Sequence, residues 1–181
     1  MAKTDIAAGF RLEEGTAVLA RTPLALRGLL QGLPDQWLDV SEDDQQWTPV
    51  QVLAHLVEAE AALWIPRARL ILEQGEAHPF EPFDRYTHLE VHRATSVDTL
   101  LSLFQSKRGE SLAALECLPI TEEALQQTGR HPEFGQVSLE QLLCTWVAHD
   151  LSHIAQIARA MARRYVKAVG PWKNNLRALR V

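Results

Sequence analysis

The chain has 181 residues, 46% of them hydrophobic and 23% charged, the proportions of a globular protein long enough to bury a core. Its 18 Lys and Arg against 23 Asp and Glu leave a formal charge of −5, which argues against the basic footprint that nucleic-acid binders carry. No run approaches the roughly 18 apolar residues of a membrane span, and Met1 to Asp5 does not open a signal peptide.

Cys117 and Cys144 make neither a disulfide framework nor a CxxC pair, so a reduced, cytoplasmic protein is expected. The basic bias at the C-terminus (Arg163, Arg164, Lys167, Lys173, Arg177, Arg180) reads as a solvated helix end.

Helical periodicity dominates from the first element onward. Thr22 as N-cap and Pro23 at the first helical position predict a helix to about Leu33, with Gly32 and Pro34 at its exit. The segment from Leu12 to Ala20 extends it if it is helical too, with a kink at Pro23. A second helix opens at Thr48-Pro49-Val50-Gln51, a capping box that Trp47 and Val52 flank as a hydrophobic staple. It is expected to run to Gln74, ending at Gly75, with a kink at Pro66.

Residues 78–94, rich in Pro and aromatic residues, read as a long connection, a length that tends to cover something. A third helix opens near Thr95 or Ser96 and stops before Pro119. A fourth opens at the capping box Ser138-Leu139-Glu140-Gln141 and runs to about Val169, before Gly170-Pro171. No strand pattern competes. The predicted fold is all-α: a four-helix bundle with a long connection between helices 2 and 3, forming a single domain over residues 1–181.

His149 and His153 stand four residues apart in the fourth helix, which puts both imidazoles on one face. With His149 at zero on the helical wheel, His153 falls at about 40°, Leu142 at about 20° and Trp146 at about 60°, whereas Thr145, Ser152 and Gln156 lie on the other side. The pair sits at the edge of the buried stripe. His55 occupies a similar border on the second helix, with Ala59 and Leu63 on one side and Gln51 and Glu58 on the other.

A lone histidine on an apolar face is ordinarily a hydrogen-bonded core residue. Two packed side by side leave several nitrogens to satisfy, at about 1–3 kcal/mol for each one buried without a partner. A shared metal ion supplies a partner, so periodicity leaves both readings open. His88 and His92 share the i, i+4 spacing, but they fall in the long connection and read as surface or loop residues.

These features resemble the DinB-like (damage-inducible protein) superfamily of metal-binding four-helix bundles. The resemblance rests on 47–60 (WTPVQVLAHLVEAE), on His131-Pro132-Glu133-Phe134-Gly135, on 146–156 (WVAHDLSHIAQ) and on Ala168-Val169-Gly170-Pro171-Trp172. It implies a divalent metal ion, zinc or nickel, held by His55, His149 and His153, and it implies a homodimer. Similar proteins include low-molecular-weight-thiol transferases, a mycothiol-dependent isomerase and metal-dependent hydrolases, so the resemblance leaves the reaction open.

Three protein ligands leave a coordination position open, as in catalytic rather than structural zinc sites. Zinc so held brings the pKa of a water in that position to about 7, and it equally favours the thiolate of a small cosubstrate. Cys144 lies at about 220° from His149 on the wheel, so a thiol must come from outside. Glu58 is a candidate general base or ligand-orienting carboxylate, Asp150 and Gln156 are candidate partners of the ligand rings, and Trp146 reads as core. The expected function is a metal-dependent, small-thiol-dependent transferase or a hydrolase acting on a small molecule; the alternative is a non-catalytic metal-binding or interaction protein.

Overall fold

The computed structural model describes residues 9–41 and 46–179. Two breaks divide the first two predicted helices into four. Residues Leu12–Leu19 form α1 and Thr22–Leu30 form α2. Thr22 lies within α2, buried, and does not cap it; the residue before the helix is Arg21, itself in the helical region of φ and ψ. The segment from Leu12 is therefore helical, and the interruption falls at Ala20 and Arg21, ahead of Pro23. Helix α2 ends at Leu30, just before Gly32 takes a positive φ of 72°. A short α3, Asp35–Leu38, follows.

Helix α4, Pro49–Ala62, opens on the predicted capping box: Gln51 N donates to Thr48 Oγ1 and Thr48 N donates to Gln51 Oε1. It gives way at Leu63 to α5, Trp64–Gln74. Pro66 is the cause, since its ring crowds the carbonyl four residues back, at Ala62, and it has no N–H to bond there. The interruption thus comes one turn ahead of the proline. Gly75, with φ of 58°, ends α5 as expected.

The long connection holds a short helix, α6 (Thr87–Val91), and so is less irregular than its composition suggests. Helix α7, Val97–Glu116, is capped by Ser96, whose Oγ accepts from Thr99 N. A one-turn α8, Glu122–Leu125, leads into a hairpin that the sequence reading missed. Its strands β1 (Thr128–His131) and β2 (Gly135–Ser138) pair antiparallel in the register Thr128↔Ser138. Helix α9, Leu139–Arg163, opens on the second capping box and stops six residues before the expected end. The chain continues through turns to short 3-10 segments at Gly170–Asn175 and Arg177–Leu179. The four-helix bundle therefore stands, formed by α1–α2, α4–α5, α7 and α9, with a small hairpin added. Among the described residues no helix is long and apolar enough to cross a membrane.

Tertiary contacts, more than local pattern, hold the hairpin. Gly129 lies so close to Ile71 and Phe80 that a Cβ there would come within 2.8 Å of either. Phe80 N donates to Arg130 O at 2.9 Å, and the Glu76 carboxylate accepts from Thr128 Oγ1 and Gln136 Nε2.

The apolar interior forms two clusters. One gathers Leu63, Trp64, Ile71, Phe80, Leu115, Leu143 and Trp146; the other gathers Leu26, Leu30, Leu53, Leu56, Leu100, Phe104 and Ile157. Along α7 and α9, Arg108 and Asp150 fall between the two. Arg108 donates through Nε and Nη2 to both oxygens of Glu60 (2.9 and 2.8 Å) and through Nη1 to Asp150 Oδ2 and to Leu19 O (both 2.7 Å). Trp146 Nε1 donates to Glu60 Oε2 at 3.3 Å. All three charged side chains are buried. Burial raises the pKa of Asp150, but His149, Arg108 and Thr22 outweigh it and hold the carboxyl below its ordinary value.

Removing the cation from such a cluster strands two buried carboxylates. Arg108→Met is expected to cost about 3–5 kcal/mol, measured as a drop in the urea unfolding free energy; a loss below about 1 kcal/mol would show that the bundle does not depend on this pairing.

Candidate metal centre

His55 lies two turns into α4, and His149 and His153 lie one turn apart in the middle of α9. Packing of α4 on α9 brings the three rings together. His153 Nε2 is 3.1 Å from His149 Nε2, which is 3.4 Å from His55 Nε2. Each neutral imidazole nitrogen has one bonding site, either a proton or a lone pair. His149 Nε2 therefore cannot make a hydrogen bond to both neighbours at once. A cation among the three lone pairs resolves this, and the spacing suits one: ligand nitrogens at 2.0–2.1 Å from a tetrahedral ion are about 3.3–3.4 Å apart.

The protonation states agree. Burial, followed by the neighbouring His153 and His149, pushes the pKa of His55 down to about 3. Burial and His149 push His153 down to about 4. Both rings are neutral near pH 7, as a ligand must be. His153 Nδ1 is 2.8 Å from Gln156 Oε1. With the amide oxygen accepting, the proton sits on Nδ1 and the lone pair on Nε2 faces the other rings. The Nδ1 of His55 is buried and has no hydrogen-bond partner among the described residues. Its ring is held by packing instead, against Trp47 (4.9 Å between centroids), His88 (5.4 Å) and Phe83 (5.7 Å).

The three histidines open onto a cleft of about 600 Å³, within the range of small-molecule sites. Trp64 and Arg67 of α5 form part of its wall, and Phe80 and Phe83 come from the long connection. The hairpin contributes His131 and Phe134, whose rings stack at 4.5 Å. Among the described residues no cysteine or serine lines the cleft, and the one hydroxyl in its wall, Thr145 Oγ1, donates to Gln141 O at 2.6 Å.

The other sequence candidates take varied places. Glu58 is not in the cleft wall; its Oε1 accepts from His92 Nε2 at 2.8 Å. His88 is 1% exposed and packs its ring edge-on to Trp47 at 4.5 Å, so the surface reading of this residue was wrong. His92 is largely covered too, but it stands in the turn that follows α6, so the loop reading holds for it. The reading of His88 failed because α6 folds back onto α4 and buries that residue. Trp146 is fully buried, as expected of core. Cys117 and Cys144 are exposed and outside the cleft. Arg67, Phe80 and His131 in the wall gave no sequence signal of a shared site; only His131 lay in a matching motif.

A helical bundle with a histidine-lined cleft is the class these features define. The sequence profile of the DinB superfamily matches residues 19–157, and the chain belongs to that superfamily. A protein of Oceanobacillus iheyensis, provisionally named a metal-dependent hydrolase, is 26% identical over 144 residues, which is 78% of this chain and 81% of the relative. Among solved structures, YfiT from Bacillus subtilis superposes with a TM-score of 0.72 at 26% identity, covering 91% of this chain and 93% of that one. YfiT is described as a probable metal-dependent hydrolase with an unusual four-helix bundle topology.

If Gln156 fixes the tautomer of His153, Gln156→Leu should weaken divalent-metal binding about 10- to 100-fold, read by competition with a chromophoric chelator. Unchanged affinity would mean that the ring needs no such partner.

Proposed function

We propose that the chain is a metal-dependent hydrolase in which His55, His149 and His153 hold one divalent cation and the cleft beside them takes a small-molecule substrate. The observation that carries this is the Nε2 spacing at the head of an open cleft. The names given to the Oceanobacillus relative and to YfiT support it. Imidazole donors suit zinc and nickel, as they do copper and iron. Such an ion, when bound with an open position, acts as a Lewis acid and eases the ionisation of water near neutrality.

The chain's own residues supply the setting. His55 and His153, held neutral by burial, turn their rings with that of His149 toward one point, and Trp64 and Phe83 give the adjoining wall an apolar surface. Among the described residues no thiol or serine lines the cleft, the Thr145 hydroxyl is bonded to Gln141 O and the Glu133 carboxylate faces Arg85, which favours a nucleophile that enters from outside. Water makes the reaction a hydrolysis. A low-molecular-weight thiol entering the same place would make it a transfer, and the names of the two relatives favour water.

Elemental analysis of the purified protein should find one divalent ion per chain. Chelation should abolish turnover of an aryl ester panel, assayed with and without small thiols, and metal should restore it. His149→Ala should lose turnover while keeping its helical circular dichroism. Loss of the fold along with the metal would instead assign the ion a structural role.

Glu58, bonded to His92 and outside the cleft wall, is read here as holding α6 over the centre. Glu58→Gln should then lower kcat less than about tenfold, because a lost general base costs about 10²–10⁴. A loss in that larger range would return Glu58 to the chemistry.

A further inference from the structure

Arg67 is a half-buried guanidinium in the wall of an apolar cleft, and its neighbours do not neutralise it. Its Nη2 donates to the Glu81 carbonyl at 3.2 Å, and its guanidinium carbon lies 5.1 Å from the centre of the Phe80 ring. Among the described residues no carboxylate forms an ion pair with it. Arg85, which is exposed, differs in having Glu133 at 3.8 Å. A guanidinium carries five N–H donors in a fixed fork, and a single protein acceptor leaves most of them unused. Burial lowers the pKa of Arg67 from its ordinary value, the direction expected when a charge loses water and gains no counter-charge.

His131 stands on the same aromatic floor. Its ring meets Phe80 edge-on at 6.1 Å. Its Nδ1 accepts from the backbone N–H of Glu133 (3.1 Å) and of Phe134 (3.3 Å). Burial and the charge of Arg67 push its pKa down, so the ring is neutral at pH 7. A neutral ring whose Nδ1 accepts must carry its proton on Nε2. Two donors, one charged and one neutral, therefore flank Phe80 in the cleft that also holds the three metal-site histidines.

We propose that Arg67 and His131 form an anion subsite, so that the substrates of this cleft are small molecules with an apolar or aromatic body and a carboxylate, sulfonate or phosphate group. The body lies along Phe80, Phe83 and Trp64, and the anion accepts from Arg67 and from His131 Nε2. The proposal rests on the cleft being the substrate site. It does not require the metal to bind the anion, and this separates its failure from that of the hydrolase reading.

The test is calorimetric, on the full chain both metal-loaded and stripped with chelator. The probes are 1-naphthalenesulfonate, whose anion is a poor metal ligand, and its neutral counterpart 1-(methylsulfonyl)naphthalene. A charge-assisted pair to arginine predicts that wild type prefers the sulfonate by about tenfold or more, with or without metal, and that the preference declines as salt rises. Arg67→Met should reduce the ratio to within about twofold, and Arg67→Lys should keep part of it. Equal affinities for the two probes in wild type would overturn the proposal, a result that needs no variant to fold. A sulfonate preference that survives in Arg67→Met, or that requires the metal, would overturn it as well and leave the hydrolase reading intact. A preference lost with Arg67 in a protein that takes up no metal would keep the subsite and sink the hydrolase.

Discussion

One guanidinium ties the four parts of this bundle together. Arg108 on α7 bonds to Glu60 on α4, to Asp150 on α9 and to the last carbonyl of α1. Apolar contacts between helices tolerate sliding, because leucine against leucine has nearly the same energy at several registers. A bidentate ion pair does not tolerate it, since a shift of one residue leaves buried charges unpaired. The pairing therefore fixes α4 against α9 along their lengths. Glu60 is five residues from His55, and Asp150 is next to His149, so the alignment that satisfies Arg108 also sets one imidazole opposite the other two.

The same cluster shapes the electrostatics of the centre. Two carboxylates against one guanidinium leave a formal charge of −1 inside the protein. The adjacent His149 helps to keep Asp150 ionised, and the field of that carboxylate acts on His153, where it opposes part of the depression caused by burial. A negative residue beside the imidazoles favours a divalent cation among them, because the cation offsets a charge that is otherwise uncompensated. Register and counter-charge thus come from one set of side chains.

Much of this was legible in the chain, and the parts that were not share a physical cause. The capping boxes at Thr48 and Ser138 announced α4 and α9 because a cap is a local bond between residues three apart. The spacing of His149 and His153 announced a shared face for the same reason. Glu60, Arg108 and Asp150 gave no warning: each reads alone as a solvated charge on a helix, and only the packing of α4, α7 and α9 shows them as partners. The hairpin at 128–138 was invisible because its strands are four residues long and glycine-containing, held by Phe80 and Glu76 from fifty residues away. His88 was misjudged by the same logic, since its burial depends on α6 folding back onto α4.

The cleft itself follows from an imperfection in a helix. An unbroken helix from Pro49 to Gln74 would have kept 3.6-residue periodicity past Ala62. Pro66 forbids the bond to that carbonyl, the axis is interrupted at Leu63, and α5 starts anew with Trp64 edge-on to His149 at 5.1 Å. Arg67 follows three residues later, on the same side of the new helix, and so enters the wall of the same cleft. The residues expected to hold the ion and the first residue expected to hold the substrate therefore stand on helices, whose backbones cannot give way without breaking hydrogen bonds in series. Phe83, Arg85, His131 and Phe134, by contrast, come from loops and a two-stranded hairpin. Phe83 also packs against His55, but substitution at Arg85, His131 or Phe134 can reshape the mouth of the cleft while the helices hold the histidines in place, which lets one scaffold keep a constant centre while the groups around it vary.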